Sequence, residues 1–216
     1  MTPKAEPSAA RTGRPRNLDP QHELELLLDA TLTVLRRNDY ADVTIASILE
    51  EAGLGTRSFY RHFQSKDELL LTLFRRDAEV AATRLRTRIR AAPTPDKALE
   101  AWIDEILSFK FHRRKAERVA VLGSASARRA EGYEAELVHA GQLLAAPLIE
   151  VLEDGKQDGS FSTCKPQTDA EMISSIVFNF AGVSGASRRV PAAAATRDIF
   201  EFCLRALGTK APLRSS

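Results

Sequence analysis

Between positions 56 and 62 the sequence concentrates side chains that donate hydrogen bonds. They are Thr56, Arg57, Ser58, Tyr60, Arg61 and His62. The planar guanidinium of arginine matches the geometry of phosphate oxygens and of base edges, and hydroxyl and imidazole groups add further donors. A helix that only packs against a core does not need so many donors. This pattern therefore favours contact with a polyanion.

The elements around this stretch predict a compact helical motif. A helix of about two turns is expected to begin after the cap Thr44 and to end at Gly53, the residue type preferred in the left-handed C′ position. The chain re-enters helix a few residues later, and a capping box at Ser65 and Glu68 opens a long third helix. Two short helices joined by a tight turn are typical of a helix-turn-helix, here about residues 44–63. A solvated connection or a protein-binding module is the alternative.

In a helix-turn-helix that binds DNA, the second helix enters the major groove and the first crosses the phosphate backbone. Arg57 can then reach a guanine edge with two hydrogen bonds. Phosphates or base edges lie within the reach of the other polar side chains. These are Thr56, Ser58, Tyr60, Arg61, His62 and Lys66.

Residues 1–17 form a basic arm that we expect to be disordered without a partner, since they carry four cations and one acid. The stretch RTGRPRN places Arg14 and Arg16 on either side of a proline. Such a segment fits a narrow minor groove, where negative potential attracts arginine. A tail that adds nothing to binding is the alternative.

Composition limits the other functions that this chain can have. Charged residues make up 28% and apolar residues 44% of its 216 residues, as in ordinary globular proteins, so wholesale disorder is excluded. Two distant cysteines and four scattered histidines exclude a disulfide scaffold and a multi-cysteine zinc site. The start lacks the apolar core of a signal peptide, and no long uncharged apolar run follows. The sequence therefore predicts a cytoplasmic protein without a membrane partner.

Nearly every segment has helical periodicity, and strand-like alternation is absent, so the sequence predicts an all-α protein of about nine helices. A short helix is expected over about residues 117–128. A second capping box, at Thr168 and Glu171, is expected to begin a later helix.

The stretch TIASILEEAGLGTRSFYRHFQSKDELL resembles the amino-terminal domain of the TetR (tetracycline-repressor-like) family of bacterial transcriptional regulators. The matching positions are Thr44, Ile45-Ala46, Ala52-Gly53, Tyr60, His62-Phe63, Ser65-Lys66 and Glu68-Leu69. The resemblance implies a helix-turn-helix domain over residues 18–78, which binds operator DNA, and an effector-binding and dimerisation domain over residues 79–210.

By this resemblance, Thr44, Tyr60, His62 and Lys66 take the positions that contact the DNA backbone, and Thr56, Arg57 and Ser58 take the base-facing positions. The family usually has a small residue in place of Arg57 and often serine in place of Gly55. We therefore expect the helix cap to shift to Thr56 and Arg57 to change which base is read. The predicted DNA-binding set is Arg14, Arg16, Thr44, Gly55, Thr56, Arg57, Ser58, Tyr60, Arg61, His62 and Lys66.

The resemblance also implies a small-molecule effector, usually apolar, that binds inside the carboxy-terminal domain and changes the affinity for DNA. Aliphatic and aromatic residues of the middle helices are the predicted pocket. They are Trp102, Ile106, Phe109, Leu122, Leu144, Leu148 and Phe178. The same stripe at helical spacing is typical of plain core, which is the alternative.

A helix-turn-helix domain of about sixty residues makes few contacts alone, so such proteins pair and read two half-sites. The last two helices carry small residues and an apolar stripe, and the family pairs through these helices. The predicted homodimer interface is Ala181, Gly182, Gly185, Ile199, Cys203 and Leu207. Burial of these faces within one subunit is the alternative.

Two other functions are alternatives to that of a dimeric, ligand-controlled repressor. An enzyme is disfavoured because the sequence has no nucleophile elbow, phosphate-binding loop or dinucleotide fingerprint, and no cofactor or metal is expected. A ligand-binding or protein-interaction protein that no longer reads DNA is the second rival. The presence of Arg57, Tyr60 and Lys66 argues against it.

Overall fold

A computed structural model of the chain describes residues 19–183 and 191–209. Over these ranges the protein has nine α-helices and no strand, which confirms the all-α prediction. The helices are α1 Pro20–Leu35, α2 Ile45–Ala52, α3 Thr56–His62, α4 Lys66–Arg90, α5 Pro95–Phe111, α6 Arg113–Leu122, α7 Tyr133–Gln157, α8 Pro166–Phe178 and α9 Ala192–Ala206. Some residues of the predicted domains and sites lie outside the described ranges. These are the arm with Arg14 and Arg16, and the positions Leu18, Gly185 and Lys210.

Helix α2 has the boundaries that its terminal residues predict. The Thr44 hydroxyl accepts a hydrogen bond from the Ser47 backbone N–H at 3.1 Å, and the Ser47 hydroxyl accepts one from the Thr44 N–H at 3.1 Å. This reciprocal pair satisfies two backbone donors that a helix start leaves free. At the other end Gly53 has φ 64°, a left-handed conformation that glycine adopts without steric cost.

Helix α3 begins at Thr56, and its N-cap is Gly55 in an extended conformation. No side chain caps this end, so the expectation that Thr56 caps the helix was wrong. Glycine is itself acceptable at an N-cap, which lets Thr56 enter the first turn with its hydroxyl free to point outward.

Two later helices begin before their predicted positions. Helix α6 starts at Arg113, directly after α5, and ends at Leu122 because Gly123 follows as its cap. Helix α8 starts at Pro166 rather than at Thr168, since proline is pre-organised for the first helical position. No side chain caps this end; the Asp169 carboxylate of the first turn accepts the Lys165 backbone N–H at 2.7 Å.

We call residues 19–78 the head, and residues 79–183 with 191–209 the body, after the predicted boundary. Two separate hydrophobic clusters stabilise them. The head core combines side chains of α1 to α4 with Leu122, Ala127, Ala130 and Tyr133, which follow the boundary in sequence. The body core joins α5, α7, α8 and α9 around the fully buried Trp102. The link between α6 and α7 is thus packed into the head core.

Helix α7 is, among the described residues, the one helix long and apolar enough by composition to cross a membrane, with a mean hydropathy of 1.3 over the best window. Core helices of water-soluble proteins have the same length and composition. Here α7 packs against α4, α5 and α8, and its Glu136 forms a two-pronged ion pair with Arg75 of α4. Pro147 is accommodated within the helix.

Candidate nucleic-acid interface

The outer face of α3 is polar and accessible. Thr56, Arg57, Tyr60 and Arg61 are exposed, and the Tyr60 ring is 59% exposed. The opposite face buries Phe59, and Phe63 follows it into the head core. Because Thr56 and Tyr60, and likewise Arg57 and Arg61, are four residues apart and Arg57 and Tyr60 are three apart, the exposed set forms one continuous surface. These four side chains are placed for contact with a partner outside the protein.

Ser58 and His62, in contrast, turn toward α1, where both lie beside the carboxylate of Glu23. The Ser58 hydroxyl donates to Oε1 at 3.3 Å, and His62 Nε2 lies 3.4 Å from Oε2. His62 Nε2 forms no hydrogen bond here, so its contact with the carboxylate is the close packing of two polar groups. Arg61 Nη1 also reaches back to donate to Oε2 at 3.1 Å. Ser58 was predicted to face bases, but in this structure it contacts α1.

Sequence reasoning missed Glu23, although a signal was present. Glu23 stands four residues before Leu27 and therefore lies on the apolar face of α1, where a charged residue is unusual. Its side chain is buried, and buried carboxylates need partners that satisfy their charge. A carboxylate at a position of the apolar stripe therefore predicts that partners lie nearby, but it does not identify which residues they are.

Lys66 has an internal role that the sequence did not predict. Its ammonium donates to the backbone carbonyls of Tyr40 at 3.1 Å and Val43 at 2.9 Å, and it lies 4.4 Å from the centre of the Tyr40 ring. These contacts tie the start of α4 to the 3-10 turn Tyr40–Asp42. Contact between Lys66 and a phosphate stays a prediction. It would use the ammonium N–H that the two carbonyls do not engage.

Asp67 connects this turn to the body. One oxygen of its carboxylate accepts the Tyr40 hydroxyl, and the other accepts the backbone N–H of Glu131 at 3.1 Å. Burial and this hydrogen bond raise the pKa of the Tyr40 phenol well above its ordinary value, so the phenol stays protonated and donates. The carboxylate therefore joins the α1–α2 connection to the segment that leads into α7.

Thr44 and Gly55 lie at the starts of the two motif helices, and both are exposed. No atom lies within 4 Å of the position that a Cβ on Gly55 would take, so its backbone is open to close approach. Helix starts attract phosphate through their free N–H groups.

The predicted effector residues fall into two cores. Trp102, Ile106 and Leu148 are fully buried in the body core, and Phe109, Leu144 and Phe178 pack against it. Leu122 instead belongs to the head core, so its assignment to the same pocket was wrong. The reason is that α6 ends at Leu122, and this last residue packs into the head core. Trp102 Nε1 donates to the Leu144 carbonyl at 2.9 Å, close to Pro147, which satisfies the one polar atom of this ring.

Part of the predicted dimer surface is interior. Ile199, Cys203 and Leu207 are buried in the body core, where α9 packs against α5 of the same subunit, so they cannot form the surface of a dimer. Ala181 is buried there too, and Gly182 lies in the π-helical turn Asn179–Val183. The stripe was real, but it faces inward. The apolar side chains that these helices expose are Met172, Ile176 and Phe202.

Comparison with known proteins finds a described family whose model matches part of the head. Residues 27–73 match the model of the family described as bacterial regulatory proteins, tetR family. The chain is 25% identical over 134 residues to the HTH-type transcriptional repressor KstR of Mycolicibacterium smegmatis, a match that covers 60% of this chain. It covers 63% of that repressor, which is less than two thirds of its length.

Solved structures extend the likeness to the body. The fatty acid degradation regulator FadR of Bacillus halodurans superposes with a TM-score of 0.65 and 17% identity, covering 90% of this chain and 97% of FadR. FadR of Bacillus subtilis, solved in complex with stearoyl-CoA, gives a TM-score of 0.67 and 17% identity, covering 83% of this chain and 97% of that one. At such identity the likeness shows a shared fold.

Proposed function

We propose that the chain belongs to the TetR family of bacterial regulatory proteins by its amino-terminal domain, and that it represses transcription by binding a specific operator sequence. The observation that supports this most directly is the exposed face of α3, in which Arg57 and Tyr60 stand outward within the matched residues 27–73. In the proposed function both side chains contact DNA.

We assign base reading to Arg57 and Thr56, and backbone contact to Tyr60. An arginine near the start of a recognition helix can donate two hydrogen bonds to one guanine, and this contact discriminates between bases. The helix starts at Thr44 and Gly55 would meet phosphates through their backbone N–H groups. Arg14 and Arg16 of the arm would enter the adjacent minor groove.

We further propose that a small apolar molecule, bound in the body, changes the affinity for DNA. FadR of Bacillus subtilis was solved with stearoyl-CoA, which makes a long acyl chain one reasonable class of ligand to test. To empty an operator that is nearly full, the ligand must favour the non-binding state by about 5.5 kcal/mol. The link from α6 to α7 would transmit the change, because Leu122 and Tyr133 pack inside the head core.

The proposed pairing surface is the outer face of α8 and α9. Met172 and Phe202 are 60% and 48% exposed, and Ile176 lies one turn beyond Met172 on the same side of α8. Large apolar side chains that are exposed in one subunit become buried when two subunits pair. A dimer formed there would carry two α3 helices to two half-sites, inside the cytoplasm where the DNA is.

The test is binding of the purified protein to genomic DNA fragments, including those beside its own gene, between about 50 and 200 mM salt. We expect one or a few fragments to be retained selectively, with a steep loss of affinity as salt rises, because each phosphate contact releases counterions. Equal weak binding to all fragments, or none, would contradict the proposal. That result would favour a ligand-binding or protein-interaction protein that does not read DNA.

A further inference from the structure

We propose that Glu23 of α1 positions α3 and thereby sets how selectively the protein reads DNA. This inference rests on the proposed function for its effect on DNA. Its structural part, that Glu23 holds α3 in place, concerns the free protein and is testable without DNA.

The geometry of the contacts carries the proposal. Three side chains of α3 meet one carboxylate: Ser58, Arg61 and His62 lie 3.3, 3.1 and 3.4 Å from its oxygens. Positions three and four residues apart share one face of a helix, so all three contacts restrain the rotation of α3 about its axis. Arg57 and Tyr60 move with that rotation.

Helix α3 needs such a restraint because little else holds it. It has seven residues, no side chain caps its start, and Phe59 is its one buried residue. A helix this short is not stable alone, since nucleation fixes several residues for each hydrogen bond gained. The buried Phe59 fixes which face of α3 points inward, and the polar contacts limit the rotation that remains.

The carboxylate depends on these contacts in turn. Glu23 is 5% exposed, and a buried charge without a partner is strongly unfavourable. The Arg61 guanidinium, whose side chain is 38% exposed, supplies the opposite charge from the rim of the site. Because Glu23 pairs with the Arg61 guanidinium, this cation of the outer face is held away from DNA phosphates.

Loss of the Glu23 charge should therefore have two opposite effects on DNA binding. Arg61, once released, can contact a phosphate, which would steepen the dependence of log K on log salt by about 0.9 and strengthen binding to any sequence. A looser α3 would present Arg57 less precisely to its base, so preference for the operator would fall. The ratio of specific to non-specific affinity should drop about tenfold or more.

The experiment compares Glu23→Gln with Glu25→Gln, a control that removes the same charge from an exposed position on the same helix. Glutamine keeps the size of Glu23 and can still accept a hydrogen bond, so the head should fold. Amide hydrogen exchange of α3 is measured on the free proteins, with α2 as internal reference. Binding to the operator and to unrelated DNA is then measured over a salt series.

We expect Glu23→Gln to speed amide exchange in α3 at least fivefold while exchange in α2 changes little. The same variant should lower the ratio of specific to non-specific affinity and steepen the salt slope. Glu25→Gln should change neither the exchange nor the ratio. Unchanged exchange in α3 would overturn the inference whatever the DNA data show. Faster exchange with an unchanged specificity ratio would overturn the link to selectivity. If the unmodified protein binds all DNA alike, the proposed function fails, and the exchange result alone decides whether Glu23 holds α3.

Discussion

The head and the body bury their apolar residues in similar ways but differ in what they leave at the surface. The head core places Phe59 and Phe63 inside and turns Arg57 and Tyr60 outward. The body core encloses Trp102 and its neighbours completely. A surface that binds a polyanion is therefore recognisable from its side chains, whereas a site for an apolar ligand has the same residue types as ordinary core.

The two regions are also joined more closely than their order in the sequence indicates. Leu122 and Tyr133 lie in the head core, and Asp67 bonds both to Tyr40 of the head and to the backbone before α7. A change in the body thus has a physical route to the turn that precedes α2. Four variants test how far this division of roles holds.

The largest effect is expected in the body. Trp102→Ala should lower the free energy of unfolding by about 3–5 kcal/mol without any ligand present, because it empties a close-packed site and leaves the Leu144 carbonyl without its donor. Urea unfolding followed by circular dichroism measures the loss. The exposed Val138→Ala is the control in the same region and should stay within about 0.5 kcal/mol. A cost below about 1 kcal/mol for Trp102→Ala would mean that the ring lines a space rather than fills the core.

In the head, the backbone conformation of Gly53 should determine the cost of a substitution more than the space around it does. Gly53→Val should cost about 1–3 kcal/mol of stability, because its left-handed φ of 64° strains any β-branched residue. Gly141 of α7 is the matched control: a Cβ meets no atom within 4 Å at either glycine. Gly141→Ala should be neutral or gain up to about 1 kcal/mol from helix propensity. Equal losses at both sites would show that space, not conformation, decides.

Arg57→Ala should separate recognition from stability. We expect about 1–3 kcal/mol less binding free energy on the operator and a relaxed base preference at one position of each half-site. Stability should stay within about 0.5 kcal/mol, since Arg57 is exposed. Competition binding with single-base operator variants gives the preference, and Arg197→Ala, an exposed arginine of α9, controls for charge. An unchanged operator preference would show that α3 is not the recognition helix.

The sequence predicted most of the head because its signals are local. Caps at Thr44 and Ser65 and the left-handed Gly53 depend on residues a few positions apart. The buried site of Glu23 depends on contacts with α3 some 35 to 38 residues away, and no pattern in one sequence identifies such partners. The same holds for Ile199 and Cys203: the apolar stripe of α9 was visible, but whether it faces α5 or a second subunit is a property of the packed fold.

The last and smallest effect concerns the connection between the two regions. Asp67→Asn keeps one oxygen for the Tyr40 hydroxyl but loses an acceptor for the Glu131 N–H, which should cost about 1 kcal/mol. Trp102 is the only tryptophan, so its fluorescence follows the body while circular dichroism follows all helices. In the unmodified protein the two transitions in urea should coincide, because α4 runs through both regions and the segment from Leu122 to Tyr133, which leads into α7, packs into the head core.

At one fixed protein concentration, Asp67→Asn should move the transition seen by circular dichroism to lower urea than the fluorescence transition, since the head loses part of its support from the body. Asp169→Asn, which changes an acceptor of a backbone N–H at the start of α8 within the body, is the control, and it should shift both transitions together. Coincident transitions in Asp67→Asn would mean that the continuous helix α4 and the apolar segment from Leu122 to Tyr133 couple the regions without this carboxylate. An effector signal would then have to travel through these two elements, and the Asp67 carboxylate would serve only the stability of the turn.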